Sequence, residues 1–189
     1  MSLAKLKLVK AKRVLGVDAS TNSIAFCIFE HDQPVSYGEV KFEGSDVYER
    51  VLDAKRKTNA LEQQGILKAD FMAIEAGVVV KSTHVGIKMA YVFGAIMAEI
   101  LDDNMRVLEV HPISWQSAIG NKNFTKAEKE AVRLEFPNKS DNWYKAKIRD
   151  IRKNRTLQFA HSLGVKTDSD NVADAVGIAH YAYHNLAGM

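Results

Sequence analysis

Cysteine, secretory signals and long apolar runs are scarce or absent in this sequence. Its 189 residues include one cysteine, Cys27, which stands in an apolar stretch and so forms neither a disulfide framework nor a cysteine metal cluster. A reducing, cytoplasmic setting is therefore expected. No N-terminal stretch combines a basic flank, an apolar core and a small-residue cleavage site, so export is not expected. The most apolar segment, residues 85–100, is too short to span a membrane and contains Lys88 and Glu99.

Net charge is also small, at +3, but the charges are unevenly distributed. Residues 121–155, called here the basic segment, hold 11 Lys or Arg and 5 Asp or Glu, a local net charge of +6 against −3 for the remainder. Residues 1–12 add a short basic arm. Such a concentration suits contact with a phosphate backbone. The alternative is a solvated helix face with ion pairs along it.

The pattern of apolar residues predicts an α/β protein. Three early strands, at residues 13–19, 24–29 and 35–42, are joined by tight turns and should form an antiparallel meander. Later strands and helices then alternate along the chain, at residues 46–64 (helix), 71–75 (strand), 82–101 (helix) and 106–110 (strand). The remaining helices are expected at residues 113–119, 125–136, 144–163 and 171–184. This order predicts a mixed five-stranded sheet with flanking helices, in a single domain over residues 1–189.

Three acidic motifs interrupt apolar segments in a fixed order along the chain. They are Gly16-Val17-Asp18, Ala73-Ile74-Glu75 and Asp170-Asn171-Val172-Ala173-Asp174. Asp18 and Glu75 each end a core-like strand, where an unpaired carboxylate would be costly to bury. Asp170 and Asp174 are separated by one helical turn and share a helix face, and the alanines beside Asp174 allow another element to approach closely.

Each motif has a structural alternative when it is taken alone. Asp18 can cap a turn through Ser20, and Asp170 can be an ordinary acid of a first helical turn. If the motifs converge, however, carboxylates about 4 Å apart repel by about 4 kcal/mol per pair at an effective dielectric constant near 20. A cation would relieve this repulsion. An oxygen-rich set of this kind suits Mg²⁺ or Mn²⁺, and such sites suit phosphodiester hydrolysis.

The order of these motifs resembles the RuvC-type Holliday junction resolvases of the RNase H-like superfamily. The resemblance extends to the long helix after Glu75, to Pro112 after the following strand, and to the spacing between Gly120 and Lys126. It covers most of residues 14–126 together with residues 169–183. The longer, more basic segment 121–155 is more similar to a phage or otherwise divergent member, for which the host cytoplasm is the expected location.

The resemblance implies metal-binding roles for Asp18, Glu75 and Asp174, with Mg²⁺ or Mn²⁺ expected as a pair of ions in each active site. The family's fourth ligand falls at Asn171 in this chain, and Asp170 is expected to substitute for it from the same helix. Together with Lys126, these acids are the expected catalytic residues.

Three positions bear on contacts with DNA. Lys126 matches a family lysine that acts at the scissile phosphate. Trp115 stands where the family has a second lysine, and Val78 stands where bacterial members have an aromatic wedge, so junction-specific contacts depart from the family pattern. Trp143 and Tyr144 either stack on unpaired bases or belong to a core.

The implied function is metal-dependent, structure-specific cleavage of branched DNA, with a four-way junction as the expected substrate, in DNA recombination and repair. Symmetric cutting needs two active sites, so a homodimer through helix 82–101 is expected, with ordinary core packing as the alternative role of that helix. A non-catalytic branched-DNA binding module is the alternative function. An RNA-directed nuclease of the same superfamily is also open. A two-lobed ATPase is disfavoured by the chain's length.

Overall fold

The computed structural model describes residues 12–76 and 83–185. The expectations for the basic arm, apart from Lys12, and for Val78 lie outside the described residues.

The described residues contain a mixed five-stranded sheet. Its strands are β1 (Arg13–Ala19), β2 (Ser23–Glu30), β3 (Gln33–Lys41), β4 (Phe71–Glu75) and β5 (Arg106–Val110). Their spatial order is β3-β2-β1-β4-β5. The first three strands are antiparallel to one another, whereas β4 runs parallel to both β1 and β5. The predicted fold class, with an antiparallel meander followed by helical crossovers to parallel strands, is confirmed.

Six helices accompany the sheet in the described part of the chain. They are α1 (Val47–Gln63), α2 (Thr83–Ile100), α3 (Pro112–Ala118), α4 (Lys126–Glu135), α5 (Asp141–Ser162) and α6 (Asp170–Asn185). None of them is both long and apolar enough to cross a bilayer. The fifth helix begins three residues before its predicted start because Ser140 caps it, with its side chain accepting a hydrogen bond from the backbone of Trp143.

Alternation along the strands divides the core into two layers. On β1, Leu15 and Val17 pack in the layer formed with α1 and α2, whereas Val14 packs in the layer formed with α6. The same alternation on β4 sends Met72 and Ile74 to the first layer and Ala73 to the second. Asp18 and Glu75 therefore belong to the face of the sheet that α6 covers.

The sixth helix approaches β1 unusually closely at Gly16. A Cβ atom added at this glycine would lie 2.4 Å from the carbonyl oxygen of Ala175 and 2.6 Å from the backbone nitrogen of Ala179. Only a residue without a side chain fits between these backbones. The first acidic motif thus meets α6 just after the third motif. The sequence predicts a close approach beside Asp174, and the structure shows that Gly16 is the partner.

The basic segment has a small apolar core of its own. Phe124, Val132 and Tyr144 are buried there, and Trp143 packs against them with its ring centroid 5.3 Å from that of Phe136. Of the two readings of Trp143 and Tyr144, the structure supports core packing over stacking on bases.

Candidate metal-binding nuclease site

Two of the predicted acids lie at the same end of two adjacent parallel strands. Val17 of β1 is in register with Ile74 of β4, and Asp18 and Glu75 each follow one residue later. Because the strands are parallel, both side chains lie at the carboxyl ends of their strands and on the same face of the sheet. Together they line a cavity of about 420 Å³ whose other walls include Met89 and Phe93 of α2.

Asp174 of α6 contributes the third carboxylate at these strand ends. Burial raises its pKa to about 7, and the negative charges of Asp18, Glu75 and Asp170 raise it as well, while Lys153 opposes them. Burial likewise raises the pKa of Asp18 to about 6, with the charges of Glu75 and Glu39 adding to the effect. The structure therefore brings Asp18, Glu75 and Asp174 into one electrostatically coupled group.

Glu75 is held by a residue whose role the sequence did not reveal. Burial raises the pKa of Glu75, and a hydrogen bond from the indole nitrogen of Trp115 to its Oε2 atom, 3.2 Å long, acts in the opposite direction. Trp115 is fully buried, and it leaves no room for a side chain at Gly177 of α6, where an added Cβ would lie 2.7 Å from its ring. Where the resemblance led us to expect a lost lysine, the chain has an anchor for Glu75.

The two candidates for the fourth ligand point to different partners. The Asp170 carboxylate pairs with the ammonium group of Lys153 on α5. The amide nitrogen of Asn171 instead donates to Oε1 of Glu39, at 2.8 Å. Only Asp170 adds negative charge next to Asp174, so the expected substitution by Asp170 fits the electrostatics of the group better than Asn171 does.

Glu39 is a second residue that sequence reasoning missed. Asp18, Ala25 and Glu39 form one row across β1, β2 and β3, so Glu39 faces α6 from two strands away. Its Oε2 atom accepts a hydrogen bond of 2.7 Å from the hydroxyl of Ser169. Burial would raise its pKa, but the hydrogen bonds outweigh burial and hold the pKa below its usual value. The row became visible only with the strand register.

The predicted catalytic lysine is not the lysine that meets the acids. Lys126 is the first residue of α4 and is exposed; in the described part of the chain its side chain makes no hydrogen bond or ion pair. Lys153 pairs with Asp170 and lowers the pKa of Asp174. Nothing in the sequence separated Lys153 from the other basic residues of its segment. The role of Lys126 at a phosphate stays a prediction.

The donor set fits a hard divalent cation in its chemistry. Buried carboxylate oxygens that raise one another's pKa gain most from a nearby positive charge. Within residues 12–76 and 83–185, no three His, Cys, Asp or Glu side chains stand in an arrangement that could hold a metal ion. The acids are thus grouped by charge and burial, but their oxygens do not form a closed coordination shell.

The coupled charges have a consequence for stability in the metal-free protein. Below its unfolded pKa near 3.8, Asp174 is neutral in both folded and unfolded chains. Between that pH and about 7, the unfolded chain ionises Asp174 while the folded chain keeps it protonated, so stability is lost over this window. In EDTA, we expect Asp174→Asn to raise the free energy of unfolding by about 3 kcal/mol at pH 8, with little change at pH 4. Urea denaturation at both pH values measures this.

The matched control for this prediction is Asp103→Asn, which alters an exposed acid in the turn before β5. It should leave the midpoint unchanged at both pH values. Equal effects of Asp174→Asn at pH 4 and pH 8 would contradict the electrostatic description of the group.

Comparison with known proteins identifies the fold. The chain is similar to the structure of RuvC from Thermus thermophilus in complex with Holliday junction substrate, with a TM-score of 0.61 and 16% identity over 93% of this chain and 96% of that one. A second Thermus thermophilus RuvC structure matches with a TM-score of 0.59 and 14% identity, covering 91% and 94% of the two chains. No protein-family model and no curated protein matches the sequence. The structural resemblance to RuvC that the acidic motifs indicated is confirmed.

Proposed function

We propose that this chain is a divalent-metal-dependent endonuclease that hydrolyses phosphodiester bonds in branched DNA, with the four-way junction as its main substrate. The observation that carries the proposal is the charge interaction among Asp18, Glu75 and Asp174 at the carboxyl ends of β1 and β4. These acids belong to the three motifs whose order along the chain resembles RuvC. The solved RuvC structure with a bound junction supports the choice of substrate.

In this proposal, Asp18, Glu75, Asp170 and Asp174 hold the Mg²⁺ or Mn²⁺ ions. When bound, the ions supply charge neutralisation at the scissile phosphate and favour in-line attack by water. The chain's own residues set the geometry: Trp115 orients Glu75 through its indole nitrogen. No side chain acts as a nucleophile, so no covalent enzyme intermediate forms.

We further propose that two copies act together through the exposed face of α2. Val85, Ile87 and Met89 are exposed on this helix, and Tyr91 is 48% exposed while stacking on Tyr48 of α1. A two-fold axis at such a face would give each junction two active sites. Light scattering should then give twice the chain's mass of 21.1 kDa, and a mass of one chain at cleavage-competent concentrations would contradict pairing.

The proposed activity is tested with a labelled four-way junction, a linear duplex of matched sequence and an RNA–DNA hybrid, each with Mg²⁺, Mn²⁺ or EDTA. The expected result is paired nicks on the junction alone, abolished by EDTA. Cleavage of the hybrid in preference to the junction would overturn the substrate assignment.

A non-catalytic junction-binding module is the second candidate. It is favoured by the contact between Asn171 and Glu39, in which the amide at the family's fourth ligand position is engaged as a hydrogen-bond donor. Tight junction binding without cleavage in either metal would select this candidate.

Glu39 supplies a test of how α6 is positioned. Glu39→Gln weakens the hydrogen bonds to Ser169 and Asn171, so we expect the Mg²⁺ concentration for half-maximal cleavage to rise about tenfold. The maximal rate at saturating Mg²⁺ should change less, because Glu39 does not touch the substrate in this account. Glu43→Gln, which alters an exposed glutamate just after β3, is the control. An unchanged Mg²⁺ dependence for Glu39→Gln would remove Glu39 from the site.

A further inference from the structure

Many of the charges in the basic segment serve its own small core. Four basic side chains lie over aromatic rings there, namely Arg133 over Tyr144, Lys139 over Trp143, Lys147 over Phe136 and Arg155 over Phe124. Arg133 also pairs with Asp141, and Arg155 with Glu128. These cations are partly committed to the protein, so the net charge of the segment overstates what is available to a phosphate backbone.

One face of α5 carries cations with a different environment. Lys145, Arg149 and Lys153 recur at intervals of four residues, so they form a single row along the helix. The row borders a cavity of about 320 Å³ that Asp174 also lines. The side chains of Lys145 and Arg149 are exposed, and within the described residues neither side chain makes a hydrogen bond or ion pair, although Lys145 lies close enough for its charge to lower the pKa of Asp141 one turn earlier. The row therefore leads from open surface to the acidic group.

The row is fixed in its orientation toward the acids. Asn121, which is buried, donates through its amide to the backbone oxygen of Arg152 and to the hydroxyl of Thr156, each at 2.9 Å. The guanidinium of Arg152 in turn donates to the side chain of Gln116 on α3. At the inner end of the row, Lys153 pairs with Asp170. Because α5 is tied to α3 and α6, its cations form a preset surface.

We propose that Lys145 and Arg149, continued inward by Lys153, bind the sugar–phosphate backbone of the DNA strand that enters the acidic site. This inference rests on the proposed function and deepens it by naming where the substrate lies. Three cations in a row attract successive phosphates, and they read charge and spacing instead of base sequence. This row of cations would hold the strand beside Asp174. There Lys153 can exchange its pair with Asp170 for a phosphate contact.

The test is the salt dependence of junction binding by Lys145→Gln/Arg149→Gln, measured by fluorescence anisotropy in EDTA so that no strand is cut. Each lost phosphate contact lowers the slope of log affinity against log salt by about 0.9. We expect the slope to fall by about 2 and the affinity near physiological salt to fall about tenfold or more. Lys68→Gln is the control. Lys68 is exposed and precedes the amino-terminal end of β4, whereas the acids lie at the carboxyl ends of the strands.

The outcomes separate this inference from the proposed function. The proposed role of the row is overturned if the double variant has the wild-type slope while circular dichroism shows that it is folded. It is also overturned by a loss of slope for Lys68→Gln that equals, per charge removed, the loss for the double variant, because binding would then follow net charge alone. Cleavage by the wild-type chain in Mg²⁺ is measured in parallel, and its absence refutes the proposed nuclease. The salt slopes measured in EDTA still decide whether the row of cations binds the DNA backbone.

Discussion

Asp18→Asn is expected to lower the rate of junction cleavage by about 10³-fold or more, while junction affinity in EDTA stays within about twofold of wild type. Asp18 interacts with both other acids of the group, because, in addition to burial, the charge of Glu75 on the neighbouring strand raises its pKa and its own charge raises that of Asp174 on α6. Losing its charge weakens cation binding and the charge stabilisation that a metal supplies, a term of several kcal/mol. Single-turnover cleavage and anisotropy measure the two quantities separately.

Affinity is expected to persist because the DNA contacts in this account come from basic residues away from Asp18. Asp103→Asn, the exposed acid before β5, is the matched control and should cleave at the wild-type rate. If Asp18→Asn abolished binding together with cleavage, the division between an acidic catalytic group and a basic binding surface would be wrong.

Gly16→Ala is expected to destabilise the protein by about 3 kcal/mol. The added methyl group would lie 2.4 Å from the Ala175 carbonyl oxygen and 2.7 Å from the Ala179 Cβ, and backbone cannot move aside as a flexible side chain can. Relief requires α6 to withdraw from β1, which would separate Asp174 from Asp18. Cleavage should therefore fall along with the urea midpoint.

Gly94→Ala is the matched control for this prediction. Gly94 lies on α2 with nothing within 4 Å of an added Cβ, so the substitution should instead stabilise the helix, by about 1 kcal/mol. A Gly16→Ala protein with wild-type stability would show that β1 and α6 are not packed as closely as described.

The antiparallel meander, the helical crossovers and two of the acids follow from sequence because they depend on local patterns. Tight turns between early apolar runs imply an antiparallel meander, and helices between later strands imply parallel crossovers. Asp18 and Glu75 end core-like strands, and alternation then assigns them to one face. The alanines beside Asp174 predict a close approach by another element, but only the structure shows that its partner is Gly16.

The partners of these acids depend on long-range placement, which local patterns do not encode. Trp115 reads as a buried aromatic, and its bond to Glu75 spans 40 positions in the sequence. Glu39 reads as a polar residue of a half-exposed strand until the register aligns it with Asp18 through Ala25. Lys153 resembles its basic neighbours, and only the packing of α5 against α6 separates it from them.

Titration of Mn²⁺ into the wild-type chain and Asp174→Asn, followed by electron paramagnetic resonance, tests most directly whether the acidic group is a metal site. We expect saturable binding by the wild-type chain and an affinity at least about tenfold weaker in the variant. Equal Mn²⁺ binding by the two proteins would show that the ions, if bound, are held elsewhere, and the nuclease proposal would lose its centre.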